Sequence, residues 1–416
     1  MNKTYTNPVT ISCIFICILL LLNLINISDR NKFHSILEKK QITKIEGIIK
    51  SSPIKLSNNK YYYAKLKCLK VFYKNNISSE CNGDITVYLP VKMVEAYFPG
   101  KLFTKNNSNQ NYVYEEGGFY KFNGKFINDV FYIEDCFCNK WDSSFLSKIY
   151  LLRANIRIYI KRLMFKWGDA GGFFMALITG SREYTNEDVK SNFRNSGLSH
   201  ILALSGMHLS LLSGLAAFIG NKTKRLKVSY LIRIIAILLF VFIAGFSPSL
   251  LRAFISFCLL LFYSIINNKK MDMIYIVCLS FIIQINIDPI SINNTGFILS
   301  YGALFGILLF NNFFKKVLNK IMPDKISESL SASTAAQLLT SPFSLNLFGE
   351  IYPIGILASS IVSPLVTFFI YAGLFLFLIC LICPFFVEVS GFFMNLLYTV
   401  ISFLVKLFSY FPKLKI

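Results

Sequence analysis

Charge is scarce in this chain. Only 16% of its 416 residues are Asp, Glu, Lys or Arg, against about a quarter in an ordinary soluble protein. With 54% hydrophobic residues and several apolar runs of about 20 residues, this excludes a soluble globular domain and points to an integral membrane protein. Acidic residues are the scarcer sign: 22 Asp and Glu face 43 Lys and Arg, for a formal charge of +21. A basic balance suits a polyanionic partner or an anionic membrane surface. It also suits compositional drift, since Lys, Asn, Ile, Phe and Tyr are abundant together. Histidine is nearly absent, with three in the chain, and the ten cysteines show no zinc-type spacing. No metal site and no cofactor are expected.

The cysteines divide by setting. Cys13, Cys17, Cys258, Cys278, Cys380 and Cys383 lie in or beside apolar runs, where a thiol acts as a small hydrophobe. Cys68, Cys81, Cys136 and Cys138 lie in the one large polar region. Disulfides there depend on the compartment, and spacing does not give the pairing.

Four segments follow from pattern. Residues 1–28 hold an apolar run with no small-residue cleavage site after it, and read as a retained transmembrane anchor. Residues 29–142 alternate, as in "ITKIEGIIK", "YYYAKLKCLKVFY", "DITVYL" and "VFYIE", with Asn, Gly and Ser between. About five strands in this length predict a small OB-like β-domain. Tyr61, Tyr62, Tyr63, Lys65 and Lys67 suit either a nucleic-acid face or a plain half-buried strand. Residues 143–170 turn helical. Phe145, Ile149, Leu152, Ile156, Ile160, Leu163 and Trp167 share one face, with Lys148, Arg157, Lys161, Arg162 and Lys166 on the remainder. This predicts an amphipathic helix lying in the membrane interface.

Residues 171–416 hold the remaining apolar runs, and so predict a polytopic α-helical membrane domain. Candidate spans are 198–220, 228–246, 248–266, 273–287, 296–311, 332–348, 355–385 and 391–410. Basic loops at 221–227, 267–270 and 311–320 alternate with loops that lack Lys and Arg. The positive-inside rule places the basic loops in the cytoplasm, and residues 29–170 outside it.

The first of these spans, "NSGLSHILALSGMHLSLLSG", is oddly polar and carries His200 and His208. On one continuous helix the two rings would lie about 80° apart and about 12 Å apart along the axis, too far for one ion. Ser205 and His208 are i,i+3 neighbours, but "ALSGM" is not the Gly-x-Ser-x-Gly elbow of a hydrolase. Gly206, Ser210 and Gly214 form a small-residue stripe suited to helix packing. The histidines are left over, because ionisable groups within a membrane need a partner or water.

The stretch "FRNSGLSHILALSGMHLSLL" (193–212) resembles the signature of the ComEC-type competence protein family through Gly197, His200, Leu202, Ala203, Ser205, Gly206 and His208. "GSREY", "SPSLLRAF", "DPISINNTGFILSYGA", "AAQLLTSPFSLNLFG" and "ASSIVSPLV" resemble family segments in the same order. Ser181 and Ser359 replace the usual Asp and Asn. The resemblance implies an inner-membrane channel component for uptake of single-stranded DNA, and not an enzyme. His200, Ser205, His208 and Arg252 are its expected path residues. Arg252 stands about one turn into a helix begun by Ser247 and Pro248. Full-length members often carry a metallo-β-lactamase-like nuclease domain, and no His-x-His-x-Asp-His run occurs here. The expected partners are therefore single-stranded DNA, membrane lipids, a separate nuclease, a DNA-receptor protein and a second copy of the chain. A membrane-embedded serine hydrolase using Ser205 and His208, and a residual homologue without transport, are the alternatives.

Overall fold

The computed structural model describes residues 7–415 except 22–32, 36–37, 52, 57–59, 74–77, 96–113, 141–143, 183, 223–224, 246 and 268–271. The polar segments 104–111 and 268–270, and the expected anchor beyond Leu21, lie outside the described residues. The chain forms two compact units. One is Asp29–Met175 with Ser181–Tyr184. The other is Met1–Ser28, Ala176–Gly180 and Thr185–Ile416, and it includes the first helix, α1 (Pro8–Leu21).

The first unit is built on strands β1 (Ile42–Ile49), β2 (Ile54–Lys55), β3 (Tyr61–Tyr73), β4 (Ser78–Glu80) and β5 (Asp84–Pro90). The short helix α2 (Val91–Glu95) follows, then β6 (Phe119–Ile127) and β7 (Val130–Lys140). Strands run in the order β1–β6–β7–β5–β3, and β3 pairs back to β1. This closes a five-stranded barrel in which only β5 and β7 are parallel. It is the small OB-like barrel that the strand count predicts. Alternation decides the core. On β3, Tyr62, Ala64, Leu66 and Cys68 point inward while Lys65 and Lys67 point outward. Tyr120, Phe122 and Phe131 complete the interior.

Helix α3 (Phe145–Phe165) follows, with Ser144 Oγ accepting the Ser147 N–H at 3.3 Å. It packs within the barrel unit and differs from the expected simple amphipath. Arg153, Arg157 and Lys161 are buried, while Phe145, Leu152 and Tyr159 are exposed. Lys161 Nζ lies 2.7 Å and Arg157 Nε 3.2 Å from the Glu115 carboxylate, and Arg153 meets Glu116 at 2.6 Å. Carboxylates supplied just before β6 turn this basic stripe inward. Of the expected apolar face, Ile160 and Trp167 are buried. Helix α3 falls in the same compact unit as the barrel and is followed by α4 (Gly168–Thr179).

The second unit continues with α5 (Glu187–Asn195), α6 (Ser199–Leu202), α7 (Gly206–Asn221), α8 (Leu226–Ala244) and α9 (Pro248–Asn267). Then come α10 (Met273–Ile287), α11 (Thr295–Leu318), α12 (Asp324–Phe348), α13 (Gly355–Ile382) and α14 (Val387–Ser409). Among the described residues, five stretches are long and apolar enough to cross a membrane: Lys227–Ala244, Pro248–Ile266, Thr295–Leu318, Gly355–Ile382 and Pro384–Ser409. Helix α1 packs on α10 through Cys13, Val277, Cys278 and Phe281. Pro364 lies inside α13 without ending it.

The expected continuous span 198–220 is corrected. It is two helices, α6 and α7, with Ala203 and Ser205 extended between them.

Past Gly349, which caps α12 at φ 69°, a two-residue strand β8 (Glu350–Ile351) pairs with β9 (Leu414–Lys415). Glu350 takes Lys413 Nζ at 2.9 Å and Lys415 Nζ at 3.3 Å. A hydrogen bond from Tyr352, then the one from Lys413, holds its carboxyl down at about 2. A depressed carboxyl contributes stability that is fully present above its unfolded value, about 4.3, and is lost as pH falls through its folded value. The thermal midpoint in detergent is therefore expected to drop between about pH 4.3 and about pH 2. Glu350→Gln should flatten that part of the profile, and an unchanged profile in the variant would discard this assignment.

Candidate functional site

The site grows from the break between α6 and α7. Gly197, at φ 73°, makes the turn into α6, and a Cβ there would stand 3.0 Å from Gly355 Cα. A side chain at 197 would therefore be strained by conformation and by contact alike. After α6 the chain runs extended to Ser205, the N-cap of α7. The backbone groups freed by the break find partners: Ser249 Oγ donates to Leu204 O at 2.9 Å. Ser205 N–H donates to His208 Nδ1 at 3.3 Å, and Ser205 Oγ lies at the same distance from that nitrogen. Ser205 and His208 thus close a capping box, with His208 at N3 in place of the usual Glu or Gln. Because Nδ1 accepts the backbone N–H, the proton of the neutral ring sits on Nε2.

His208 is 1% exposed, and its Nε2 has no hydrogen-bond partner among the described residues. Arg252 is 9% exposed, and its Nε is likewise without one. The two lie beside the same helix start. A Cβ on Gly206, the first residue of α7, would fall 2.9 Å from Arg252 Nη2. Arg252 itself lies one turn into α9, where Ser247 Oγ accepts the Leu250 N–H at 3.4 Å. Two helix N-termini therefore add their partial positive charge to the guanidinium. No carboxylate pairs with Arg252 among the described residues.

Helices α10 and α11 brace this corner. Gln284 Nε2 donates to Pro248 O at 2.9 Å, and Tyr301 Oη donates to Gln284 Oε1 at 3.0 Å. Ser280 Oγ lies 3.4 Å from Tyr301 Oη. Gln284 thus bonds between helices, while Tyr301 and Ser249 escape sequence reasoning. Each sits in a family-like segment, "SYGA" or "SPSL", and that was the available signal.

The other expected site residues fall elsewhere. His200 lies on α6 and is exposed, and no hydrogen bond joins it to His208 among the described residues. The single-helix geometry for the two histidines does not apply, because the chain is extended between them. The stripe of small residues is not one packed seam. Gly206 faces Arg252 and Ala253, whereas Ser210 and Gly214 are exposed. Helices α7 and α8 pack closely at Gly220, where a Cβ would stand 2.7 Å from Ser229 Cα. Further along the unit, Ser331 bonds Asn311 at 2.8 Å, Ser333 meets Ser359 at 2.8 Å and Gln337 reaches Tyr352 O at 2.9 Å. These bonds tie α11, α12 and α13 together. No group of three or more His, Cys, Asp or Glu side chains that could hold a metal occurs among the described residues.

In the barrel unit, Tyr61, Tyr88 and Tyr132 form a half-buried aromatic cluster across β3, β5 and β7, with ring centroids 5.0–6.1 Å apart.

An OB-like barrel with a set of membrane-length apolar helices defines a multi-pass membrane protein. The family model described as Competence protein matches residues 177–416, more than half of the chain, and the chain belongs to that family. Among its relatives is "ComE operon protein 3" of Bacillus subtilis, 28% identical over 232 residues, which are 55% of this chain and 29% of that protein. "Uncharacterized protein MG316" of Mycoplasma genitalium is 30% identical over 189 residues, 44% of this chain and 47% of that one. Its homologue in Mycoplasma pneumoniae is 26% identical over 195 residues, 45% of this chain and 48% of that one. Each match thus covers less than half of the relative's length. No solved structure matches significantly.

Proposed function

We propose that the chain is an inner-membrane component of competence DNA uptake, lining part of the path taken by single-stranded DNA. One observation carries this reading: a buried arginine and a buried histidine N–H, both without protein acceptors among the described residues, beside two helix N-termini. Ionisable groups in an apolar bundle mark substrate paths when no internal partner satisfies them. A phosphodiester supplies what is missing, a negative charge and acceptor oxygens. It recurs at every nucleotide, so the contact is independent of sequence. In this reading Ser205 holds the His208 ring, Gly206 leaves room for the guanidinium, and exposed His200 is a second contact.

Loop charges favour residues 29–170 outside the cytoplasm. The β8–β9 pairing supports the same alternation, since it brings residues 414–415 to the end of the unit that holds Glu350. The tyrosine cluster of the barrel offers rings on which bases can stack. The hydrolase reading uses the same Ser205 and His208. It is disfavoured because a serine relay needs an acceptor on the far imidazole nitrogen, and His208 Nε2 has none among the described residues.

The test is uptake of labelled single-stranded DNA into proteoliposomes. Arg252→Ala should lower the rate about 10- to 100-fold, the equivalent of one charged hydrogen bond of about 1.5–3 kcal/mol. Arg252→Lys should retain part of it, and His208→Ala should fall between. No uptake by folded, correctly oriented wild-type protein sinks the proposal. Labelling of Ser205 by a serine-reactive probe would favour the hydrolase instead.

A further inference from the structure

Two thiols in the barrel face each other in a way that sequence spacing did not show. Cys68 lies on β3 and is fully buried; Cys81 follows β4 and is 6% exposed. Their Sγ atoms are 2.8 Å apart. The backbone holds them there. Strand β4 pairs with β3 through Lys70 opposite Glu80 and Val71 opposite Ser79. Cys81 N–H donates to Leu69 O at 3.2 Å, and Cys68 N–H donates to Gly83 O at 2.9 Å. This register sets Cys81 opposite Leu69, one place from Cys68 on the neighbouring strand, and brings the two sulfurs close enough to join. Cys136, also buried in the barrel, lies on β7, and β5 separates β7 from β3.

We propose that Cys68 and Cys81 are a disulfide in the working protein, formed by exchange with the disulfide of a thiol-oxidising protein. Cys81 is the entry point, being the less buried of the two. The hydrogen bond between the two thiols lowers the Cys81 pKa and raises that of Cys68. The Cys81 thiolate, its proton lost to water, attacks one sulfur of the oxidant's disulfide and expels the other as a thiolate. The Cys68 thiol then loses its proton and attacks Cys81 Sγ. The mixed disulfide breaks, and the oxidant leaves as a dithiol. Two electrons pass to the oxidant, and the barrel is two hydrogens lighter. The ring so closed staples β4, a three-residue strand paired to β3, to the barrel wall. It also requires the barrel to fold in an oxidising compartment. This inference stands apart from the DNA reading, since it concerns the barrel wall and not the Arg252 corner.

Full-length protein in membranes, denatured directly in N-ethylmaleimide and digested, tests it. The expected result is a cross-linked peptide pair containing Cys68 and Cys81, unalkylated until reductant is added. In Cys81→Ser, Cys68 should become alkylated without reductant. In Cys136→Ser, the Cys68–Cys81 pair should persist. Alkylation of both Cys68 and Cys81 in the wild-type protein, or a cross-link of either to another cysteine, overturns the proposal.

Discussion

Glu115→Ala should cost the barrel unit about 3–5 kcal/mol, the penalty for removing one partner of a buried ion cluster. The Glu115 side chain is 5% exposed and receives Lys161 at 2.7 Å and Arg157 at 3.2 Å. Alanine would leave two buried cations short of their shared carboxylate. Desolvated charges are expensive, so the helix that carries them should loosen from the barrel. Trp167, buried just beyond the end of α3, is one of two tryptophans in the chain, and its fluorescence reports this unit. The denaturant midpoint of the full chain, followed at tryptophan, is the measurement. A change below about 1 kcal/mol, the value of an exposed pair, would refute the buried-cluster account. Replacing all three groups by apolar residues of similar volume should be milder than Glu115→Ala alone, because no charge is stranded.

The second large effect belongs to the helical unit. Helices α11 and α12 touch backbone to backbone at Gly306. A Cβ there would fall 2.3 Å from Ala335 O and 3.3 Å from Ala336 Cα. Neither is a flexible side-chain end, so the helices must separate. Gly306→Ala should therefore destabilise by about 1–3 kcal/mol, as overpacking does, against its favourable helix propensity. One turn earlier, a Cβ on Gly302 would meet Thr340 Cγ2 at 3.5 Å, an ordinary contact. Gly302→Ala should be neutral or stabilising by up to about 1 kcal/mol. Unfolding by SDS titration, followed by helical circular dichroism, separates the two variants. Equal effects would show that the close approach does not limit packing.

Much of this was legible from one dimension. Apolar runs located α8, α9, α10, α13 and α14 to within a few residues, because a lipid-facing helix must hide its backbone and show apolar side chains over a fixed length. Period-two alternation gave the barrel strands, since only alternate residues of a strand enter a core. The Ser247–Pro248 start of α9 was legible because caps are local chemistry. The motif from Gly197 to His208 pointed to the family before any geometry was known.

Other features exist only through residues far apart in sequence. The basic side of α3, with Arg157 and Lys161 on it, was visible. Whether it faced lipid headgroups or the barrel depended on Glu115 and Glu116, some 40 positions earlier. The apolar count of 198–220 looked like one helix. Its break at 203–205 is held by His208 capping Ser205 and by Ser249 reaching Leu204 O from α9. Periodicity cannot see such a bond, because it measures what a helix would bury and not what else can satisfy its carbonyls. The pairing of Cys68 with Cys81 and the contact of Arg252 with Gly206 are of the same kind. Sequence determined the membrane class, the elements and the motif. Tertiary structure decided which charges meet and which buried donors, His208 Nε2 and Arg252 Nε, have no acceptor among the described residues.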